Sequence, residues 1–352
     1  MGGVVAALSY SATTYSAFMM VGLAGLTYKG GVGALGFELI YLSGLILTAF
    51  FGPRFWLAGK KYDYVTPAEM IGDRYESKAL AVIVSIAYCV FLIPYSAVQM
   101  MGIGYLMQGL SGGAIPFMAG VVLAMLLAII WAWWAGMRSV AWTDSLQSLI
   151  MMISAIVVVF FVVYRGFGGF SEMFRQLSVQ EPAWLSVPGS GMFNFKVFLG
   201  LSLPWFFFSI SNPQVSQRLF IPRNLSKMRS MIMIFLAFGF VYTLISITWG
   251  FAAKLLLPNL DNPDMAAPSL LALDIVPSLL ALIVMIGITA AAISTVDSIL
   301  LTLSSTVSRD IYRTVKPEVD EDKQVWAGKI VIPIIAAVSY THLRAHETVL
   351  DL

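Results

Sequence analysis

Apolar runs, each about as long as a bilayer is thick, alternate with short polar connections along the chain. The pattern predicts nine spans, at about 3–28, 33–57, 79–108, 114–137, 139–163, 195–217, 230–254, 277–307 and 325–338. It predicts no strands, so the expected class is an all-α polytopic membrane protein. Two of these runs are softened. In "SYSATTYSAF" (9–18) five of ten residues are Ser or Thr. Small hydroxyl side chains compete for backbone hydrogen bonds and weaken a helix. "GLSLPWFFFSISNPQVSQR" (200–218) carries Pro204, then Ser209, Ser211, Asn212, Pro213 and Gln214. Each proline removes a backbone donor and frees the carbonyl four residues earlier.

Freed backbone in hydrocarbon costs several kcal/mol per group unless protein, water or an ion takes it up. Interrupted spans at matching places in two halves point to a transporter's binding site. Here they are the first and sixth spans, as two inverted five-helix repeats require. The unwound carbonyls can hold Na+, and half-helix N-termini can face an anionic group. The polar residues at the two breaks, Thr13, Thr14, Ser16, Asn212 and Gln214, are candidate substrate contacts. A third segment, "GITAAAISTVDSILLTLSSTVSRDIY" (287–312), begins almost wholly small or hydroxylated. Small residues let membrane helices approach closely. Ser294 and Thr295 also lie one turn beyond Ala291, offering oxygen on one face. Hard cations take oxygen ligands, so three carbonyls and two hydroxyls would make a Na+ site without a carboxylate.

The composition agrees: 59% hydrophobic, 11% charged, mean hydropathy +0.84. Soluble domains carry about 25% charged residues. Net charge is +2, with no basic run to suggest nucleic acid as a partner. Of 21 Lys and Arg, fifteen fall on one side of the predicted spans and five on the other. The richer side is cytoplasmic. The chain then begins inside a cell (plasma) membrane, with 58–78 and 218–229 cytoplasmic. Cys89 is the single cysteine and reads as a small apolar residue. No cleavable leader is visible. "SYTHLRAHETVLDL" (339–352) breaks the ninth span with charge after some thirteen residues. It reads as a non-native tail resembling adapter read-through, leaving 1–338 as the transmembrane core. Both histidines belong to that tail.

"ALSYSATTYSAFMMVGLAG", "YVTPAEMIGDRY", "MRSVAWTDSLQSLIM", "SNPQVSQRLF" and "AAAISTVDSILLTLSSTVSRDIY" together resemble the sodium/solute symporter family. Its members include sodium-coupled carriers of proline, pantothenate, monocarboxylates and sugars. The resemblance covers about 1–338. It implies the five-plus-five inverted-repeat fold of the leucine transporter. It also implies a longer parent, lacking here a helix before the core, part of core helix nine and core helix ten. It carries the family's sodium ligands onto Ala12, Tyr15, Ala291, Ser294 and Thr295. Asp144, in the tryptophan-threonine-aspartate motif, falls where the family guides sodium towards the cytoplasm. Thr14 stands where the proline carriers have an aspartate, which removes a nearby negative charge. Glu38 matches a substrate-binding glutamate of the sugar carriers, although Phe18 and Met19 replace polar groups wanted there.

Ionisable residues inside spans are functional candidates by default. Asp297, three residues after Ser294, either attracts the cation or pairs with an Arg at the inner end. Asp144 either serves the sodium pathway or pairs with Arg138. Tyr95 and Gln99 are placed to face a cavity. Trp205 and Phe208 precede the second break, where a ring could close over a substrate. No catalytic motif is present, and no enzyme or organic cofactor is expected. The expected function is import of a small organic solute, a carboxylate or amino acid, with Na+ as coupling ion. The alternative is a transporter-like sensor module of a signalling protein.

Overall fold

The computed structural model describes residues 2–16, 18–134 and 137–350, and the side chains of these except 137–141 and 345–350. In chain order the helices are α1 (Gly3–Thr14), α2 (Leu23–Gly30), α3 (Gly33–Ser43), α4 (Leu45–Tyr62), α5 (Pro67–Arg74), α6 (Lys78–Leu110), α7 (Phe117–Trp134) and α8 (Met137–Phe167). There follow α9 (Phe170–Gln180), α10 (Phe195–Ser211), α11 (Pro213–Ser216), α12 (Leu225–Leu256), α13 (Ala266–Leu271), α14 (Ser278–Thr306), α15 (Arg313–Val315) and α16 (Glu321–Leu350). No strand occurs among the described residues.

Seven helical stretches are long and apolar enough to cross a bilayer, and the bent pair Gly3–Thr14 with Phe18–Gly30 makes an eighth. Nine spans were expected. The difference lies at 195–217, where the chain divides at Asn212 and leaves 17 residues in α10. Pro204 does not cause that break, because α10 runs through it. Asn212 does: its backbone turns extended and its side chain accepts from the Gln214 amide. Pro213, which lacks a donor, then starts α11 where none is needed.

The first break has a different cause. The hydroxyls of Thr13 and Thr14 bond back to the carbonyls of Ser9 and Tyr10, both at 2.9 Å. Such bonds loosen and bend a helix. At Tyr15 the backbone leaves helical angles (φ −89°, ψ 86°), and the two halves meet at 58°. A π-helical turn, Phe18–Gly22, starts the second half. The Met19 carbonyl there accepts from the Ser246 hydroxyl on α12.

The broken helix is central. α1 packs against α8, α12 and α14, while α10 lies along α3 and α4. Two glycines permit these approaches. A Cβ at Gly239 on α12 would collide with the Tyr15 hydroxyl, and one at Gly44 with the Phe206 carbonyl. On the side rich in Lys and Arg, "VTPAE" forms a capping box: Thr66 accepts from the Glu69 amide at 3.0 Å. Glu69 also receives Arg309 at 3.0 Å, and Thr66 donates to Asp310 at 2.8 Å. The α5 hairpin is thereby fastened to the end of α14. α16 continues through 339–350 as one helix, with Ser339 and Leu343 buried.

Candidate functional site

Three of the five expected ion ligands meet directly. The Thr295 hydroxyl lies 3.1 Å from the Ala12 carbonyl and 3.1 Å from the Ala291 carbonyl. α1 ends two residues after Ala12, so this carbonyl turns to a neighbouring helix. Tyr15 forms the terminal turn one step on, and its amide still bonds to Ser11. Its ring is locked among Phe235, Phe238 and Tyr242, with centroids 5.1 to 5.8 Å away. Ser294, the next residue on α14, donates to Asp144 Oδ1 at 2.5 Å. Its hydrogen is therefore taken, and its lone pairs are left for a cation. All these residues are buried. The donors are neutral oxygens, which fits a hard monovalent ion.

Beneath this cradle lies a closed polar network. Asp144 accepts from Ser294 through Oδ1 and from Ser9 through Oδ2 at 3.3 Å. Arg218 Nη2 stands 3.6 Å from the same Oδ2. Arg218 also donates to Ser9 at 2.5 Å and to Ser298 at 2.6 Å. Thr13 completes the ring, 3.3 Å from Ser298. The Arg138 side chain, the alternative partner for Asp144, lies outside the described residues. Asp297 is 1% exposed, and neither of its carboxylate oxygens has a hydrogen-bond partner among the described residues.

On the other side of the break the substrate candidates cluster around rings. Trp205 stacks on Phe18 at 5.6 Å and on Phe208 at 4.6 Å. Tyr41 meets both edge-on, at 5.7 and 5.8 Å, and Tyr95 meets Phe208 at 6.1 Å. Glu38 is 1% exposed, and neither of its carboxylate oxygens has a hydrogen-bond partner among the described residues. Gln99 and Gln214 are likewise buried with free amides. Buried polar groups in proteins are nearly always satisfied, so these orphans are candidate contacts for a ligand.

The sodium:solute symporter family profile matches residues 1–350. The chain belongs to the sodium:solute symporter family. The uncharacterised symporter YhjB of Bacillus subtilis is 25% identical across all of this chain and 72% of its own length. The sodium/pantothenate symporter of Escherichia coli is 25% identical over 90% of the chain and 65% of its own length. The chain spans 53% of another Bacillus subtilis relative, the uncharacterised symporter YodF. Among solved structures, an outward-open, substrate-bound Na+-coupled sialic acid symporter superposes with a TM-score of 0.79 at 21% identity, covering 97% of this chain and 72% of that one. The nucleobase-cation-symport transporter Mhp1, in a closed conformation, gives 0.63 at 12%, covering 97% and 71%. The fold is therefore the leucine-transporter type shared with these two transporters.

Within this symporter the candidate residues divide into two groups. Ala12, Ala291, Ser294, Thr295 and Asp144 come together, and Thr13 joins them through Ser298 rather than facing the rings. Trp205 and Phe208 belong to the ring cluster, and Glu38 and Gln99 are buried. Thr14 is committed to its own helix, and Asn212 caps α11. Ser16 is buried at the break itself. Arg218, Ser9, Ser298 and Tyr41 were not anticipated. The span pattern places Arg218 at the start of a cytoplasmic connection, but it is 4% exposed. The signal for it was its position in the polar run "SNPQVSQR", five residues past the break proline and not beyond an apolar stretch.

Proposed function

We propose that this chain is the core of a sodium-coupled secondary active symporter that imports a small organic solute by alternating access. The observation that carries the reading is the Thr295 hydroxyl bridging the Ala12 and Ala291 carbonyls. A Na+ there would tie the broken first helix to α14, with Tyr15 and Ser294 completing the oxygen set. The bound ion would favour the solute-binding form, a coupling typically worth about 1–3 kcal/mol. Asp144 and Asp297 would mark the route inward. The chain would sit in the cell membrane with 58–78 and 218–229, apart from the inward-turned Arg218, in the cytoplasm.

The solute is best read as an amino acid. Glu38, a buried carboxylate with no partner, and the ring faces of Trp205, Phe208 and Tyr41 suit an ammonium group. Backbone amides at the helix breaks suit a carboxylate. The test is uptake of labelled amino acids, monocarboxylates, pantothenate and sugars into proteoliposomes, with Na+ replaced by choline. Uptake undiminished in choline would refute sodium coupling. Transport of a sugar but no amino acid would refute the solute class.

A further inference from the structure

A cavity of about 740 Å³ lies on the side rich in Lys and Arg, where α7 ends, α14 ends and α16 begins. Its lining shares no residue with the ion cradle or the ring cluster. Gly328 brings α16 against α14 in its wall, since a Cβ there would lie 2.7 Å from the Ser304 hydroxyl. Val325, Lys329 and Ile332 turn one face of α16 to it, at spacings of four and three. Two chemistries meet in this lining. Trp133 and Trp134 close α7, and tryptophan concentrates where hydrocarbon gives way to headgroups. Arg309 and Arg313, just past α14, and Lys329 bring positive charge. Lys329 stands about two turns into α16, within a stretch apolar enough to cross a bilayer. A charge at such a place must reach the interface or find a partner. Arg309 is met by Glu69, and Asp320, also in the lining, by Lys323. Arg313, Lys329 and the lining residue Glu321 make no ion pair among the described residues. The lining is therefore positive on balance.

We propose that this cavity binds the headgroup of an anionic phospholipid from the adjoining leaflet. Arg313 and Lys329 would meet the phosphodiester. The acyl chains would leave past Trp134 and Val325, which are both exposed and apolar. Basic pockets between membrane helices suit such headgroups. A free phosphate carries the same charge, but it has no use for an exposed apolar wall at the level of a tryptophan belt. A lipid uses both walls. Because the site joins the ends of three helices, the bound lipid would hold α7, α14 and α16 together. The proposal is independent of the sodium-coupled reading above, and it needs neither ion nor solute.

The test is native mass spectrometry of the purified chain, offered equal amounts of phosphatidylglycerol and phosphatidylcholine with the same acyl chains. The unmodified protein is expected to retain phosphatidylglycerol over phosphatidylcholine by roughly tenfold or more. Arg313→Gln/Lys329→Gln should lower that preference by roughly tenfold or more, the scale of two basic residues at a membrane surface. Both residues are exposed, so the fold should survive. Lys60→Gln/Lys61→Gln removes the same charge from the end of α4, outside the cavity. It should leave the preference within about twofold. Arg313→Lys/Lys329→Arg, which keeps both charges, should bind like the unmodified protein. No preference in the unmodified protein would overturn the proposal. Equal losses in the two glutamine double variants would overturn it as well, reducing the effect to general surface charge. Glycerol 3-phosphate at millimolar concentration should leave the lipid in place. Displacement of phosphatidylglycerol by it would show a small-anion site and overturn the lipid assignment.

Discussion

The Ser294 hydroxyl and the Asp144 carboxylate are joined at 2.5 Å by residues 150 positions apart in the chain. The bond belongs to two helices, α14 and α8, that pack on each other and on α1. It sets which way Ser294 offers its oxygen. A cluster of neutral oxygens, the candidate ion cradle, and a charged network thereby share one hydroxyl, and the effects of substitution on the two sides differ accordingly.

Thr295→Ala removes the hydroxyl that meets the Ala12 carbonyl across helices, while the Ala291 carbonyl keeps its place in the α14 ladder. Sodium affinity is expected to fall by roughly tenfold or more, about 1.4 kcal/mol. Thr295→Ser should retain most of it. Sodium-dependent melting of the purified protein measures both. Equal sodium stabilisation of the alanine variant and the unmodified protein would remove this residue from the site.

Asp144→Asn leaves the Arg218 guanidinium buried without its counter-charge. Breaking a buried pair from one side costs about 3–5 kcal/mol, so the melting temperature should drop sharply. Sodium binding should weaken as well, because Ser294 loses a charged acceptor and the local field turns positive. Thermal unfolding at saturating sodium separates the stability loss from the binding loss. An unchanged melting temperature would mean that the pair contributes nothing to the fold.

Glu38→Gln replaces an unpartnered buried carboxylate with a neutral amide of similar size. Without a solute the protein should be at least as stable, since an unpartnered carboxylate is costly to bury. Affinity for an ammonium-bearing solute should fall at the same time, with sodium affinity nearly unchanged. A solute-binding titration of both proteins reads the two effects. Destabilisation of the solute-free protein, or unaltered solute affinity, would contradict the assignment.

Trp205→Ala deletes the ring sandwiched between Phe18 and Phe208. The loss should fall on the solute: an increase in its apparent Kd of roughly tenfold or more, with sodium binding within about twofold. Trp205→Phe should lie between. Equal losses for sodium and solute would show a packing defect, not a contact with the solute.

The bilayer made much of this protein legible from its residues alone. Hydrophobic length fixes where helices cross, because unpaired backbone cannot exist in lipid. The two breaks announce themselves for the same reason, as clusters of Ser, Thr, Asn and Pro where only apolar residues are cheap. Ala291, Ser294 and Thr295 could be marked as candidate ligands because their oxygens lie within a turn of one another. All of these are local signals, carried by neighbours along one helix. What faces what across helices depends on how each one is rotated about its axis, and that is set by packing. Only the tertiary structure therefore shows that α10 runs through Pro204 and stops at Asn212. Only there does Phe18, an unpromising replacement for a polar group, become a stacking partner of Trp205. Arg218 makes the distinction plainest. Along the chain it is one more positive charge after a span. In space the break turns it inward, and a carboxylate and two hydroxyls from three other helices make its burial affordable.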